Sequence, residues 1–258
     1  MMSSLRLVGL LMVLGGSFLW ALLPPSESQA LGTSGQVRIL QVRYSGSSWN
    51  PRPQATSVLA QEVSFRTSIE TSSARDSRDL DAPDLFEYPI LTFSGGGLFP
   101  RLPDSQIENL RHFLEAGGFL IIDNSGESEG SFVSFDRSVR RMLKRVFPER
   151  ALKPRPGDHV LYRSFFRIEY PSGRNLRKGY MEGISIVNRV AVVYSPNDIG
   201  GAVDRDRFGS WANDLMPGND GQRESAIRLG VNLVMYSLCL HYKDDQVHLK
   251  YLLKKRMN

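Results

Sequence analysis

Cysteine is nearly missing from this chain of 258 residues, with Cys239 the only one. A single thiol closes no intramolecular disulfide and excludes a cysteine-rich zinc site. Because Cys239 falls within the apolar stretch 233–240, it is expected to be a buried small hydrophobe. Histidine is sparse as well, at four residues. His112 sits in a helical pattern and His241 and His248 near the tail, which leaves His159 as the histidine to consider. The apolar run Leu7–Leu23 is short for a membrane span and is broken by Gly9, Gly15, Gly16 and Ser17. Internal repeats are missing. So is any nucleic-acid-binding motif that would give the net charge of +5 that meaning, so no nucleic-acid partner is expected.

What is present begins with an address label. Arg6 precedes the apolar run, Pro24 and Pro25 end it, and Ser28-Gln29-Ala30 offers small residues for a signal peptidase. Residues 1–30 therefore read as a signal peptide cleaved after Ala30, and the protein as exported and periplasmic; the rival is an uncleaved anchor. The basic charge gathers at Arg137, Arg140, Arg141, Lys144 and Arg145, and again in a tail, 241–258, with Lys250, Lys254, Lys255 and Arg256. Such patches suit an anionic ligand, or peripheral membrane contact through the tail.

Residues 37–43 alternate as a strand, and Ala55–Arg66 follows a helical period. Thr67–Glu70 reads as a short strand and 71–84 as a loop. Tyr88–Phe93 is a compact apolar run ending in Ser94-Gly95-Gly96-Gly97. Ser105 and Glu108 fit a capping box, with Asp104 the alternative cap, for a helix that Gly117-Gly118 closes, and Phe119–Asp123 is the next strand. This strand–helix–strand order implies a right-handed crossover and parallel pairing. Asp136 is expected to cap an amphipathic helix over 137–147. A hairpin over 183–194 turns at Asn188-Arg189, 195–222 is a long polar loop, and Arg223–Leu240 is a long helix. The expected fold is a layered α/β domain over 37–240 with a mostly parallel sheet, a C-terminal hairpin and a long helix.

Several phrases occur together in a characteristic order. They include Trp49-Asn50-Pro51-Arg52-Pro53, Leu85-Phe86-Glu87-Tyr88-Pro89, Leu110–Leu120, Phe135–Arg141, Asp158-His159, Asn197-Asp198-Ile199-Gly200 and Leu229–Leu233. In this order they resemble the bacterial DUF4159 domain family. The resemblance implies a flavodoxin-like sheet of the class I glutamine amidotransferase-like type, as in the ThuA group. It implies no reaction. Some members of the family accompany MoxR ATPase or von Willebrand A modules, which implies a protein partner.

In such a sheet the ligand crevice lies beyond the carboxyl ends of the strands. The resemblance puts a nucleophile just after a central strand, where this chain reads Asp123-Asn124-Ser125-Gly126. There is no cysteine here and no Gly-x-Ser-x-Gly elbow is expected, and Asn124 departs from the family pattern. The ligand-binding candidates are Gly95, Gly96, Asp123, Asn124, Asp136, Arg137, His159, Asn197 and Asp198. Asp123 could act as an acid–base or ligand group, or simply bond loop amides. Gly95 and Gly96 could cradle an anion, but no phosphate-loop lysine follows them. Asp204-Arg205-Asp206 opens like a calcium loop without its closing glutamate. No metal set and no cofactor is assigned. The leading expectation is an exported, non-catalytic binding module. The alternatives are a hydrolase of carbohydrate or envelope polymer, with or without an assisting metal, using Asp123, His159 and Asp198, and a membrane-surface scaffold.

Overall fold

A computed structural model describes residues 35–256 apart from 47 and 219, and for 220 and 240–256 the backbone alone. The proposed signal segment and the side chains of the basic tail lie outside the described residues. In chain order the elements are β1 (Ile39–Val42), α1 (Ala55–Arg66), β2 (Ser77–Arg78), β3 (Ile90–Gly95), α2 (Asp104–Glu115), β4 (Phe119–Asn124), α3 (Glu129–Val146), β5 (Lys153–Pro154), β6 (Glu182–Ile186), β7 (Arg189–Ser195), α4 (Ile199–Val203) and α5 (Asp220–Arg256).

The sheet runs β2-β1-β3-β4-β7-β6-β5. Pairing is parallel from β2 through β7 and antiparallel for β6 and β5. Counting only the parallel strands, the order is 2-1-3-4-5, that of flavodoxin-like folds. The central strands are apolar because both their faces are covered: all six residues of β4 are buried. Helices α2 and α3 cover one face, closing over Leu91, Phe93 and Ile122. Helices α1 and α5 cover the other, over Ile39, Ile121 and Val193. Phe93 stacks on Tyr44 at 4.4 Å, and burying each such side chain stabilises the fold by about 1.5–3 kcal/mol.

Both edges of the sheet are blunt. Each ends in a strand of two residues, and β5 ends in Pro154. Arg150 and Arg155 donate to the carbonyl oxygens of Ser185 and Gly183 on β6. An edge this short, with arginines over its neighbour, offers little to a second sheet.

Several local expectations change. Thr67–Glu70 is not a strand, because the Thr67 hydroxyl donates to Val63 O and accepts from Ile69 N, closing α1 with a turn. Helix α2 begins at Asp104 behind Pro103, with no side-chain cap, so Ser105 lies within the helix. Helix α3 begins at Glu129, capped by a Ser128–Ser131 box. Asp136 therefore lies in mid-helix and pairs with Arg140 one turn on. Gly130 and three serines hide the first turns of α3 from a periodicity reading. The hairpin turns at Val187-Asn188, with Val187 at φ 52°. The loop over 195–222 contains α4. Cys239 is exposed rather than buried, because the packed face of α5 ends at Tyr236 and Ser237.

Candidate functional site

The loops beyond the carboxyl ends of β3, β4 and β7 meet. Register pairs Ser94 with Asp123 and Asp123 with Ser195, so the three lie side by side at about 4.8 Å per strand. Asp123 ends buried β4, and its carboxylate reaches over to α4. It accepts from Ile199 N at 3.0 Å and Gly200 N at 2.7 Å. Burial, with Asp198 nearby, pushes Asp123 up to about 7, against the pull of those two amides.

Asp198 is fully buried and opens α4 in the left-handed region, at φ 58°. It accepts from Gly201 N at 2.9 Å. Arg52 grips both its oxygens, at 3.2 and 2.7 Å, and Arg174 adds a bond of 2.7 Å. Arg52 reaches further, to Asn213 and Glu127. Asp204 accepts from Gln54 N at 2.8 Å, serving the amino end of α1, which has no side-chain cap of its own. Three aspartates and two arginines thus bind these loops together.

Below this crown lies a cavity of about 50 Å³, lined by Gln41, Arg52, Thr92 and Asp123 together with Leu59 and Leu233. Typical small-molecule pockets measure roughly 300–1,000 Å³. This one has room for a short side chain or a few waters.

The remaining candidates separate into packing and binding roles. A Cβ at Gly95 would strike Tyr44 and Phe135, and one at Gly96 would meet Gly126. Both glycines are therefore required by close approach. Asn124 donates to Tyr194 Oη and Phe132 O and accepts from Gly126 N, which uses its whole amide. Asn197 donates to Pro171 O and Lys178 O and accepts from Lys178 N, pinning the segment that carries Arg174. Asp136 and exposed Arg137 lie on α3, across the sheet from the crevice. The basic face of α3 is engaged internally: Arg140 binds Glu182, Arg141 binds Phe99 O and Arg145 binds Leu102 O.

His159 is not at the crevice. Its Nδ1 accepts from Leu161 N, and its ring lies 6.5 Å from Tyr236. Tyr236 Oη in turn accepts from Val190 N near the start of β7. Ser195, beside Asp123, is five residues further along that strand, or about 16 Å. Burial, with Arg155 adding, lowers the His159 pKa. Among the described residues, no group of three or more His, Cys, Asp or Glu side chains could hold a metal ion.

One signal was overlooked in the sequence. Gly126-Glu127-Ser128-Glu129-Gly130 has the Gly-x-Ser-x-Gly letters between a strand and a helix. Its geometry is not that of an elbow. Ser128 lies four residues past β4 at an unstrained φ of −93°, and its Oγ accepts from Ser131 N as a helix cap. The arginines were also missed: Arg52 and Arg174 hold the centre of the site, and only Asp198 was named of the three.

A family model described as "Domain of unknown function (DUF4159)" matches residues 38–238. The chain belongs to the DUF4159 family. No curated protein matches it. The DUF4159 match spans every strand of the sheet, so the crevice and the arginines around it lie within the family domain.

Proposed function

We propose that this DUF4159 protein is an exported, non-catalytic binding module whose crown takes an anionic or carbonyl-bearing group of a ligand or partner protein. The observation that carries the reading is the division of polar groups at the crown. The carboxylates that could do chemistry are bonded to backbone amides and arginines. Two buried donors, Ser125 Oγ and Arg174 Nη2, have no hydrogen-bond partner among the described residues. A buried donor without an acceptor costs roughly 1–3 kcal/mol, which an incoming acceptor would recover. The parallel strand order supports an amidotransferase-like frame used without its nucleophile, and partnership with a MoxR or von Willebrand A module accords with a rigid binding crown.

A hydrolase remains the second reading, because Asp123 is held near neutrality, where a carboxyl group can exchange protons. Against it, both Asp123 oxygens already accept amides. The two readings separate by experiment. Acetate, succinate and inorganic phosphate are titrated while the thermal midpoint is followed. Stabilisation by at least one of them is expected, lost in Arg174→Ala and weakened in Ser125→Ala, which removes the second open donor. If none stabilises the protein, the anion reading fails. Labelling of Ser125 or Ser128 by a serine-directed fluorophosphonate would promote the hydrolase.

Export is supported by the signal-like segment of residues 1–30. Mass spectrometry of the mature protein is expected to find Leu31 first. A chain that keeps Met1 or Met2 in the membrane fraction would replace export with anchoring.

A further inference from the structure

The face of the sheet beneath α1 and α5 changes character along its length. Toward the amino ends of the strands it is apolar, with Ile39, Ile90 and Ile121 in one cluster with Leu59 and Leu233. Successive side chains alternate between faces. The same face therefore continues as Gln41 on β1, Thr92 and Ser94 on β3, and Asp123 on β4. Register sets Gln41 beside Thr92 and Ser94 beside Asp123. All four of these polar residues line the cavity beneath the crown.

A polar row under helices is costly unless its groups are bonded. Most of it is. Gln41 Nε2 donates to Trp49 O at 2.9 Å, Thr92 Oγ1 donates to Gln41 Oε1 at 2.9 Å, and Asp123 accepts the two amides of α4. Two hydroxyls on the cavity wall are not: Ser94 Oγ and, from α1, Thr56 Oγ1 bond no other described residue. Leu59, Val203 and Leu233 supply apolar wall. The cavity, about 50 Å³, is one third of the roughly 150 Å³ that accepts benzene, so it suits about two or three heavy atoms and no ring. The open donors of the crown stand one step further out. Ser125 follows Asp123 by two residues, about 7 Å along the strand, and the ladder reaches it, with Ser125 N donating to Gly95 O at 2.8 Å. Its Oγ and Arg174 Nη2 lack an acceptor. Arg52 and Arg174 share Asp198, and exposed Glu127 meets Arg52 only from the rim, so positive charge is left over within the crown.

We infer that crown and cavity together take a small hydroxy acid of about two to four carbons. Its carboxylate meets Ser125 and Arg174, and its short hydroxylated tail enters the cavity to bond Ser94 and Thr56. A three-carbon acid with a hydrogen bond of about 2.8 Å at each end spans the step of about 7 Å between the two levels. This ligand class rests on the binding role proposed above for the crown and narrows it: the anionic group is a carboxylate, and the cavity selects what it is attached to.

Calorimetric titration with three acids tests the inference, at about pH 6, where Asp123, raised to about 7 by burial, keeps its proton. Lactate and propionate differ by one hydroxyl, and mandelate replaces the methyl of lactate with a phenyl ring. Lactate is expected to bind roughly threefold to tenfold more tightly than propionate, the worth of one hydrogen bond. Mandelate is expected not to bind. The double variant Thr56→Val, Ser94→Ala removes both hydroxyls with little change of volume, and its thermal midpoint without ligand checks that it is folded. It is expected to bind lactate and propionate alike. Equal binding of the two acids by the wild type, a preference for lactate that survives in the double variant, or mandelate binding as tightly as lactate would each overturn the inference and leave the crown reading standing. So would stabilisation by phosphate with no binding of any of the three acids. If neither phosphate nor any acid binds, both fall together.

Discussion

Asp198→Asn is expected to lower folding stability by about 3–5 kcal/mol, the usual cost of leaving a buried charge without its partner. Asp198 has no exposed surface, and Arg52 and Arg174 converge on it with side chains 8% and 12% exposed. Removing its charge leaves two guanidiniums facing each other in a low-dielectric site. Asparagine is the informative replacement, since it keeps the size and tolerates the left-handed backbone at φ 58°. Alanine should cost more, because it adds backbone strain to the loss of charge. Urea unfolding of the three proteins measures the differences. An asparagine variant within about 1 kcal/mol of wild type would show that the arginines find other acceptors, as exposed pairs do.

The second large effect is on the pH dependence. Asp123 has a folded-state pKa raised from its ordinary value to about 7, mainly by burial. The sign follows from proton binding: the folded state holds this proton more tightly than the unfolded chain does. The associated stability is fully present below the unfolded value, near pH 4, and is lost as pH rises through about 7. Over that window Asp123 makes the protein less stable as pH increases, which is the reverse of a salt-bridged carboxylate. Asp123→Ala should flatten this slope. It also strips the acceptor from Ile199 N and Gly200 N, at a cost of about 2–4 kcal/mol for two buried amides. Unfolding curves between pH 4 and 8 test both parts. A wild-type slope no steeper than that of the variant would mean that Asp123 stays ionised throughout.

The fold was legible where periodicity and burial agree. Ala55–Arg66 matched α1 residue for residue, because Val58, Leu59 and Val63 set the period and no glycine interrupts it. The paired runs around Phe93 and Ile122 gave the parallel centre for the same reason. Local chemistry was less legible. The first turns of α3 depend on Ser128 and Ser131 bonding each other, which no apolar period records. At the site, Asp123 and Asp198 could be named because they lie at or just beyond the carboxyl ends of apolar strands. Arg52 could not, since its partner is 146 residues away and nothing near it in sequence hints at a carboxylate. His159 misled for the opposite reason. A histidine beside an aspartate looks chemical, yet here it caps the start of a short helical turn at the far end of the sheet.

The way α1 is seated has a consequence for how the chain is made. Its amino end is satisfied by Asp204, the loop before it by Asp198, and its last turn by the Arg66 pair with Glu224. Each of these partners is synthesised some 150 residues after the helix it receives. Until they emerge, the first helix has no dock, and the apolar residues of β1 beneath it have one face uncovered. Folding of this domain is therefore tied to the end of translation, and no amino-terminal half can settle early.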